Sequence, residues 1–246
     1  MLEKSRISLP GLFLSLCIYE AIYYDFFSVT GIRQTIATIA TILGVKYIVE
    51  RKLLKFSIAI ILAAFIHKSV LIFYPLYFIA FYPKSKHTLL LSICLLPVIF
   101  PLARSLAFIM ATYSDSEQYM YYALSEYENS GAKNFMLFML VSAILVLYAK
   151  IKKIDGLQDY MVHSIALGLF FVPLVWVDPT LMRVVQYFSI FIIIAVPVVL
   201  DNIKGNKFIK SLIYGVYVIV MIFTIIKHNA QYAFFWQAMQ LGQNYM

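Results

Sequence analysis

The sequence predicts an all-α, polytopic membrane protein, with about eight spans or span-like helices in one integral membrane domain over residues 1–246. Three observations carry that expectation. Apolar residues make up 63% of the chain and charged residues only 13%. They gather in blocks, about 7–24, 35–49, 54–82, 88–112, 135–149, 160–177, 184–200 and 208–226. The full-length blocks meet the roughly 20 residues a helix needs to cross a bilayer. The alternation of a membrane β-barrel is missing. No soluble domain is expected, because the longest connection, about 113–134, is too short to form one.

The first block follows Lys4 and Arg6, as in a signal peptide, but no small-x-small cleavage site comes after it. Glu20, Tyr23 and Tyr24 follow instead, so it reads as a retained span. Cys17 and Cys94 fall inside apolar blocks and are expected to be small core residues, not disulfide partners or metal ligands. The net charge of +8 has a topological explanation, which removes the case for nucleic acid as a partner. The basic residues cluster at Lys4/Arg6, Arg51/Lys52/Lys55, Lys84/Lys86, Lys150/Lys152/Lys153 and Lys204/Lys207/Lys210. Positive-inside bias puts all of these, and the N-terminus, in the cytoplasm. Two crossings then fit between residues 6 and 51, two between 86 and 150, and two between 153 and 204. Lys46, near the inner end of the second span, snorkels to the interface.

The stretch from 55 to 84 is the exception, because a single span there would invert every later cluster. The chain must enter and return. Each limb, about 55–66 and 70–82, covers about 20 Å at 1.5 Å per residue, short of the roughly 30 Å hydrocarbon core. A re-entrant hairpin, or two short tilted helices, is therefore predicted. His67, Lys68 and Ser69 would lie at its tip and line a cavity, since backbone turning at that depth must be satisfied by protein or water.

The same topology places Asp25, Arg33, Gln34, His67, Arg104, the acidic loop, Asp178 and Arg183 toward the outside. Charges beside apolar runs are costly and usually functional. Arg33 follows Gly31 at a helix N-terminus, the wrong end of the dipole for a cation, and so needs an anion, either Asp25 or a ligand. Arg33, Ala37 and Thr41 share a face whose small residues permit close helix approach. Pro97 and Pro101 should kink or break the helix just before Arg104, which then either snorkels outward or faces the cavity. Asp178-Pro179 marks a turn and helix start, after which Arg183 and Tyr187 stand one turn apart. Guanidinium forks suit phosphate, and two or three together would suit a diphosphate. An interfacial Arg/Tyr belt is the alternative.

His67 can act as a base or serve as a hydrogen-bonded structural residue. His87 and His163 fall on the cytoplasmic side, and His228 follows the last span. The external loop holds Tyr113, Tyr119, Tyr121, Tyr122 and Tyr127 beside Glu117, Glu126 and Glu128. It is either an interfacial belt or a surface gripping sugar faces and hydroxyls, with carboxylates that are further candidate bases.

"GIRQTIATIATILGVKYIVERKLLKFSIAIILAAFIHKSVLIFYPLYF", residues 31–78, resembles the core of the EpsG family of polysaccharide polymerases, through Arg33, Gln34, Ala37, His67 and Ser69. "RVVQYFSIFIIIAVP", residues 183–197, is similar to the family's Arg-x-x-x-Tyr stretch, through Arg183, Tyr187 and Pro197. The resemblance covers about residues 12–200. It implies a Wzy-like enzyme in the bacterial cytoplasmic (inner) membrane. Such an enzyme joins oligosaccharide repeat units carried on undecaprenyl diphosphate at the outer face, building an exopolysaccharide, capsule or O-antigen chain. Family members carry further spans ahead of the Arg-Gln helix, so this chain is expected to lack those N-terminal spans.

The expected chemistry is glycosyl transfer without metal or cofactor. His67, Arg33 and Arg183 are the expected catalytic residues, and Gln34, Ser69, Arg104, Glu117, Asp178 and Tyr187 the substrate contacts. The lipid-linked oligosaccharide and the bilayer are the expected partners, with a flippase and a chain-length regulator as candidates. The rival readings are a membrane acyltransferase acting on a glycan, a lipid-linked-sugar transporter, and a non-catalytic assembly subunit. Transport would call for inverted repeats, which the sequence does not display.

Overall fold

The computed structural model describes residues 7–29, 31–114, 130–177, 181–203 and 207–227, which hold helices and no strand. Helix α1 (Leu9–Tyr19) starts on Ser8, whose Oγ caps the Gly11 N–H at 3.1 Å, with Pro10 in the first turn. It continues as a wider π-helical segment, Glu20–Val29. Then come α2 (Ile32–Val49) and α3 (Leu53–Ile66), a 3₁₀ segment (Lys68–Phe73), and α4 (Pro75–Ile79). The chain goes on through α5 (Ser85–Ser114), α6 (Ser130–Ile151), α7 (Asp159–Val177), α8 (Met182–Ser189), α9 (Ile192–Asn202) and α10 (Lys207–Lys227).

Helix α7 is the central pillar. Its buried residues run from Met161 to Val177, and α5, α6 and α8 all pack on it. Around this pillar the bundle is apolar on its outside as well. Phe65, Leu9, Leu54 and Phe208 are 85%, 81%, 74% and 74% exposed, on three different helices. Water would not tolerate such a surface, and lipid tails would. Between the helices lie small polar residues, Thr38, Thr41, Ser142, Ser164 and Ser189, all buried, as expected where bilayer helices approach closely. Among the described residues four helices are long and apolar enough to cross a membrane: α2, α5, α6 and α7. The α8–α9 pair, bent by 41°, makes a fifth, while α1, α3, the 68–79 segment and α10 are apolar but shorter.

The stretch between Arg51 and Phe81 folds back on itself as a helical hairpin. The Phe56 ring lies 5.6 Å from Tyr74 and 5.2 Å from Tyr77, and Ser57 Oγ meets the Tyr74 hydroxyl at 2.7 Å. These contacts zip α3 to its returning limb. At the base of the hairpin the Arg51 guanidinium sits 5.1 Å over the Phe81 ring. Side-chain contacts then gather the basic turns at that same end. Ser85 and Lys150 both bond the Asp159 carboxylate, and one cavity joins Lys152 and Lys153 to Asn202 and Ile203. Asp201 in turn holds Ser8 and Tyr214, and its backbone carbonyl takes Lys210. Lys46 is exposed there and pairs with Glu50 at 3.9 Å.

Three details depart from the sequence-based expectations. Helix α5 passes through Pro97 and Pro101 without a break; membrane helices tolerate proline where neighbours absorb the freed backbone groups. Cys94 is exposed on α5 and is not a core residue, while Cys17 is buried. The block 184–200 is two helices. The carbonyls of Phe188 and Ser189, at the break, accept hydrogen bonds from Ser164 Oγ (3.0 Å) and the Tyr23 hydroxyl (2.9 Å). Pro197 cannot donate to the Ile193 carbonyl, and Ser15 Oγ fills that vacancy at 2.8 Å.

Candidate functional site

Three segments far apart in sequence meet at the end of the bundle opposite the basic turns: the start of α2, the hairpin tip and α8. Gly31 precedes α2 and puts Arg33 and Gln34 in its first turn. Gln34 points inward, 2% exposed, and its Nε2 donates to the backbone carbonyl of Arg183 at 2.5 Å. The amide thereby fixes where α8 begins. Arg33, one residue earlier, stands on the exposed side.

The hairpin tip is built by His67 itself. Its backbone is extended (φ −151°, ψ 108°), ending α3 and starting the 3₁₀ turn. The ring is half-buried, and its Nε2 is buried without a hydrogen-bond partner among the described residues. The charges that bear on it are those of Arg183 and then Arg33. An imidazole nitrogen under the charge of two guanidiniums can take a proton from a hydroxyl whose reaction partner carries an anion that arginines bind. Ser69, two residues on, meets the Tyr187 hydroxyl at 2.9 Å. Phe73 stacks between the hairpin and α8, 5.6 Å from Phe188 and 6.5 Å from Phe191.

Helix α8 can sit this close because Gly168 of α7 faces it. A Cβ there would lie 3.2 Å from Phe188 Cβ and 3.4 Å from the Ser189 backbone nitrogen. Arg183 is half-buried and Tyr187 fully buried on α8. The Arg33, Gln34, His67, Ser69, Arg183 and Tyr187 set thus forms one constellation.

Other expected residues fall elsewhere. Arg104 stands on the exposed side of α5 and is not among the charges acting on His67. Lys68, between His67 and Ser69 at the tip, is exposed. Asp178, Glu117, Glu126 and Glu128 lie outside the described residues, as do His228 and the side chains of Asp25 and Tyr113. His163 is fully buried near the basic end, with Nε2 2.8 Å from the Tyr82 carbonyl oxygen, and His87 is exposed.

One residue near the site was not anticipated. Gln186 of α8 is 2% exposed, and its Oε1 has no partner among the described residues, like Oε1 of Gln34. A lone amide within the apolar run 184–191 was the available signal. Among the described residues no group of three His, Cys, Asp or Glu could hold a metal ion.

The family model described as the EpsG family matches residues 2–239. No curated protein and no solved structure matches the chain. The match takes in all three segments that build the site. The chain belongs to the EpsG family, a family of Wzy-like polysaccharide polymerases.

Proposed function

We propose that this protein polymerises undecaprenyl-diphosphate-linked oligosaccharide repeats at the outer face of the bacterial cytoplasmic membrane. One observation carries the reading: the unpartnered Nε2 of His67 lies under the influence of Arg183 and Arg33, held there by Gln34, Ser69 and Tyr187. The basic turns gathered at the opposite end support an outward site, since that end is the one positive-inside bias retains in the cytoplasm.

In the reaction, a hydroxyl of the acceptor repeat attacks the anomeric carbon of the donor glycan. A new glycosidic C–O bond forms, and the bond from that carbon to the phosphate oxygen breaks. His67 takes the hydroxyl proton. Arg33 and Arg183 bind the diphosphate and stabilise its charge as it leaves, an interaction stronger in the transition state than before it. Carboxylates of the 113–134 loop remain alternative proton acceptors.

The test is chain assembly in membranes of a host lacking its own polymerase and supplied with the matching lipid-linked repeat. Wild type should give a ladder of glycan lengths. His67→Ala, Arg33→Lys and Arg183→Lys should each reduce it by about a hundredfold or more, the lysines failing because a point charge loses the bidentate fit. Lysine variants that build normal ladders at normal membrane levels would refute the diphosphate role. Single repeats only from well-expressed wild type would refute polymerisation.

A further inference from the structure

The cavity at the basic end of the bundle, of about 330 Å³, includes none of the residues proposed for polymerisation. Tyr148, Lys152, Lys153, Ile154 and Asp155 line it from the end of α6 and the turn after it, and Asn202 and Ile203 from the end of α9. Its size is near the lower end for small-ligand sites, enough for a headgroup and too small for a whole lipid. Two ammonium groups face one carboxylate, Asp155, so the lining is net positive. A phenol and an amide add neutral hydrogen-bonding groups.

The turn, like the one at Arg51 (φ +56°), takes a left-handed backbone at a basic residue. Lys153 has φ +53°, and the bonds from its N–H to the Lys150 carbonyl and from Ile154 N–H to the Ala149 carbonyl form a Schellman cap. That left-handed position normally belongs to glycine, because a Cβ is crowded there. The cap sets Lys153 beside Lys152 at the cavity. Tyr148, 45% exposed, brings an aromatic ring from the cavity to the bundle surface, as tyrosines do at membrane interfaces.

We propose that this cavity binds a phosphate group, with Lys152 and Lys153 supplying the charge and Tyr148 and Asn202 hydrogen bonds. Its source is either the phosphodiester of an anionic phospholipid or a free phosphate. The site is separate from the proposed polymerisation, and its test does not depend on activity.

The full chain, purified in mixed micelles, would be offered phosphatidylglycerol against phosphatidylcholine, with retained lipid counted by native mass spectrometry. Two lysines near a membrane surface should give one site a preference of about thirtyfold for the anionic lipid. Lys152→Gln with Lys153→Asn should abolish it, asparagine being chosen because it tolerates the left-handed backbone. Lys152→Gln alone, which leaves that backbone untouched, should cost about fivefold, so misfolding of the double variant would not remove the test. Lys84→Gln with Lys86→Gln, on the same face but outside the cavity, should leave the preference intact.

Displacement of the retained lipid by inorganic phosphate would show that the cavity takes phosphate from either source. Failure of phosphate to displace it would assign the site to the lipid alone. Binding of inorganic phosphate with no lipid preference, lost in the double variant, would assign it to the free ion. No lipid preference and no phosphate binding by wild type would overturn the proposal. So would equal loss in the Lys84/Lys86 control, which would mean a diffuse basic belt.

Discussion

The bond between Ser69 and Tyr187 offers a quantitative test of how the site is held. At 2.9 Å it is a neutral O–H···O contact, slightly long for its class, and such bonds contribute about 1 kcal/mol net. Tyr187→Phe keeps the ring in its fully buried slot and removes only the hydroxyl, so no cavity is created. Ser69→Ala removes the other partner from a half-buried position. If the two hydroxyls act through one another, each single change should cost about 1 kcal/mol and the pair together about 1, not 2. Thermal unfolding in a fixed lipid composition measures this without any assumption about function.

The same cycle run on ladder growth, at equal membrane levels, should show a coupling of about fivefold in rate. Since neither hydroxyl is proposed to touch the reacting atoms, the loss should fall on the rate at saturating lipid-linked repeat and leave half-saturation little changed. Additivity of the two changes to within about 0.3–0.5 kcal/mol would refute the idea that this bond docks α8 onto the hairpin tip.

Two glycines give opposite expectations from the same substitution. Gly168→Ala forces Phe188 or Met139 to yield by a few tenths of an ångström, pushing α8 off α7 and lowering ladder growth several-fold; Gly215→Ala, with nothing within 4 Å, should leave both growth and stability unchanged. At the other end, a Cβ on Gly11 would lie 2.6 Å from Asp201 Oδ2 and displace the carboxylate that Ser8 donates to twice. Gly11→Ala should therefore destabilise by about 2 kcal/mol, seen as a lower unfolding midpoint, and an unchanged midpoint would show that the Ser8–Asp201 clasp contributes nothing.

Much of this architecture was legible because it is written in charge and spacing. The return of the chain between Arg51 and Phe81 follows from arithmetic on lysine clusters: one crossing too many would strand Lys84, Lys150 and Lys210 on the wrong side. The meeting of Arg33-Gln34, His67-x-Ser69 and Arg183-x-x-x-Tyr187 was legible only through the family resemblance, since nothing in their separate spacing dictates contact. What could not be read is which way a polar residue turns on a helix apolar all round. Arg104 is the clear case, because α5 offers lipid and protein nearly equivalent faces. The break within 184–200 was hidden for another reason. It is stabilised by Tyr23 and Ser164, residues of other helices, and no local signal at Ile190 or Phe191 announces it.

The two interruptions of regular helix belong together. A histidine on an unbroken span is flanked above and below by its own helix, so other segments can approach it only from the side. At the hairpin tip the chain turns away after Ile66, and the 3₁₀ segment packs against both α2 and α8. The second interruption, at the end of α8, frees that helix from the direction of α9 by 41° and lets Arg183 and Tyr187 be aimed at the tip. Each interruption leaves backbone carbonyls and a helix end needing partners, and the partners are specific: Ser164 and Tyr23 at the break, and Gln34 on Arg183. Local regularity is given up at two places, and side chains from three other segments are committed to holding the helices around them. A fold that only had to span a bilayer would need neither break, whereas the proposed site, with His67 under the charge of Arg183 and Arg33, is assembled around both.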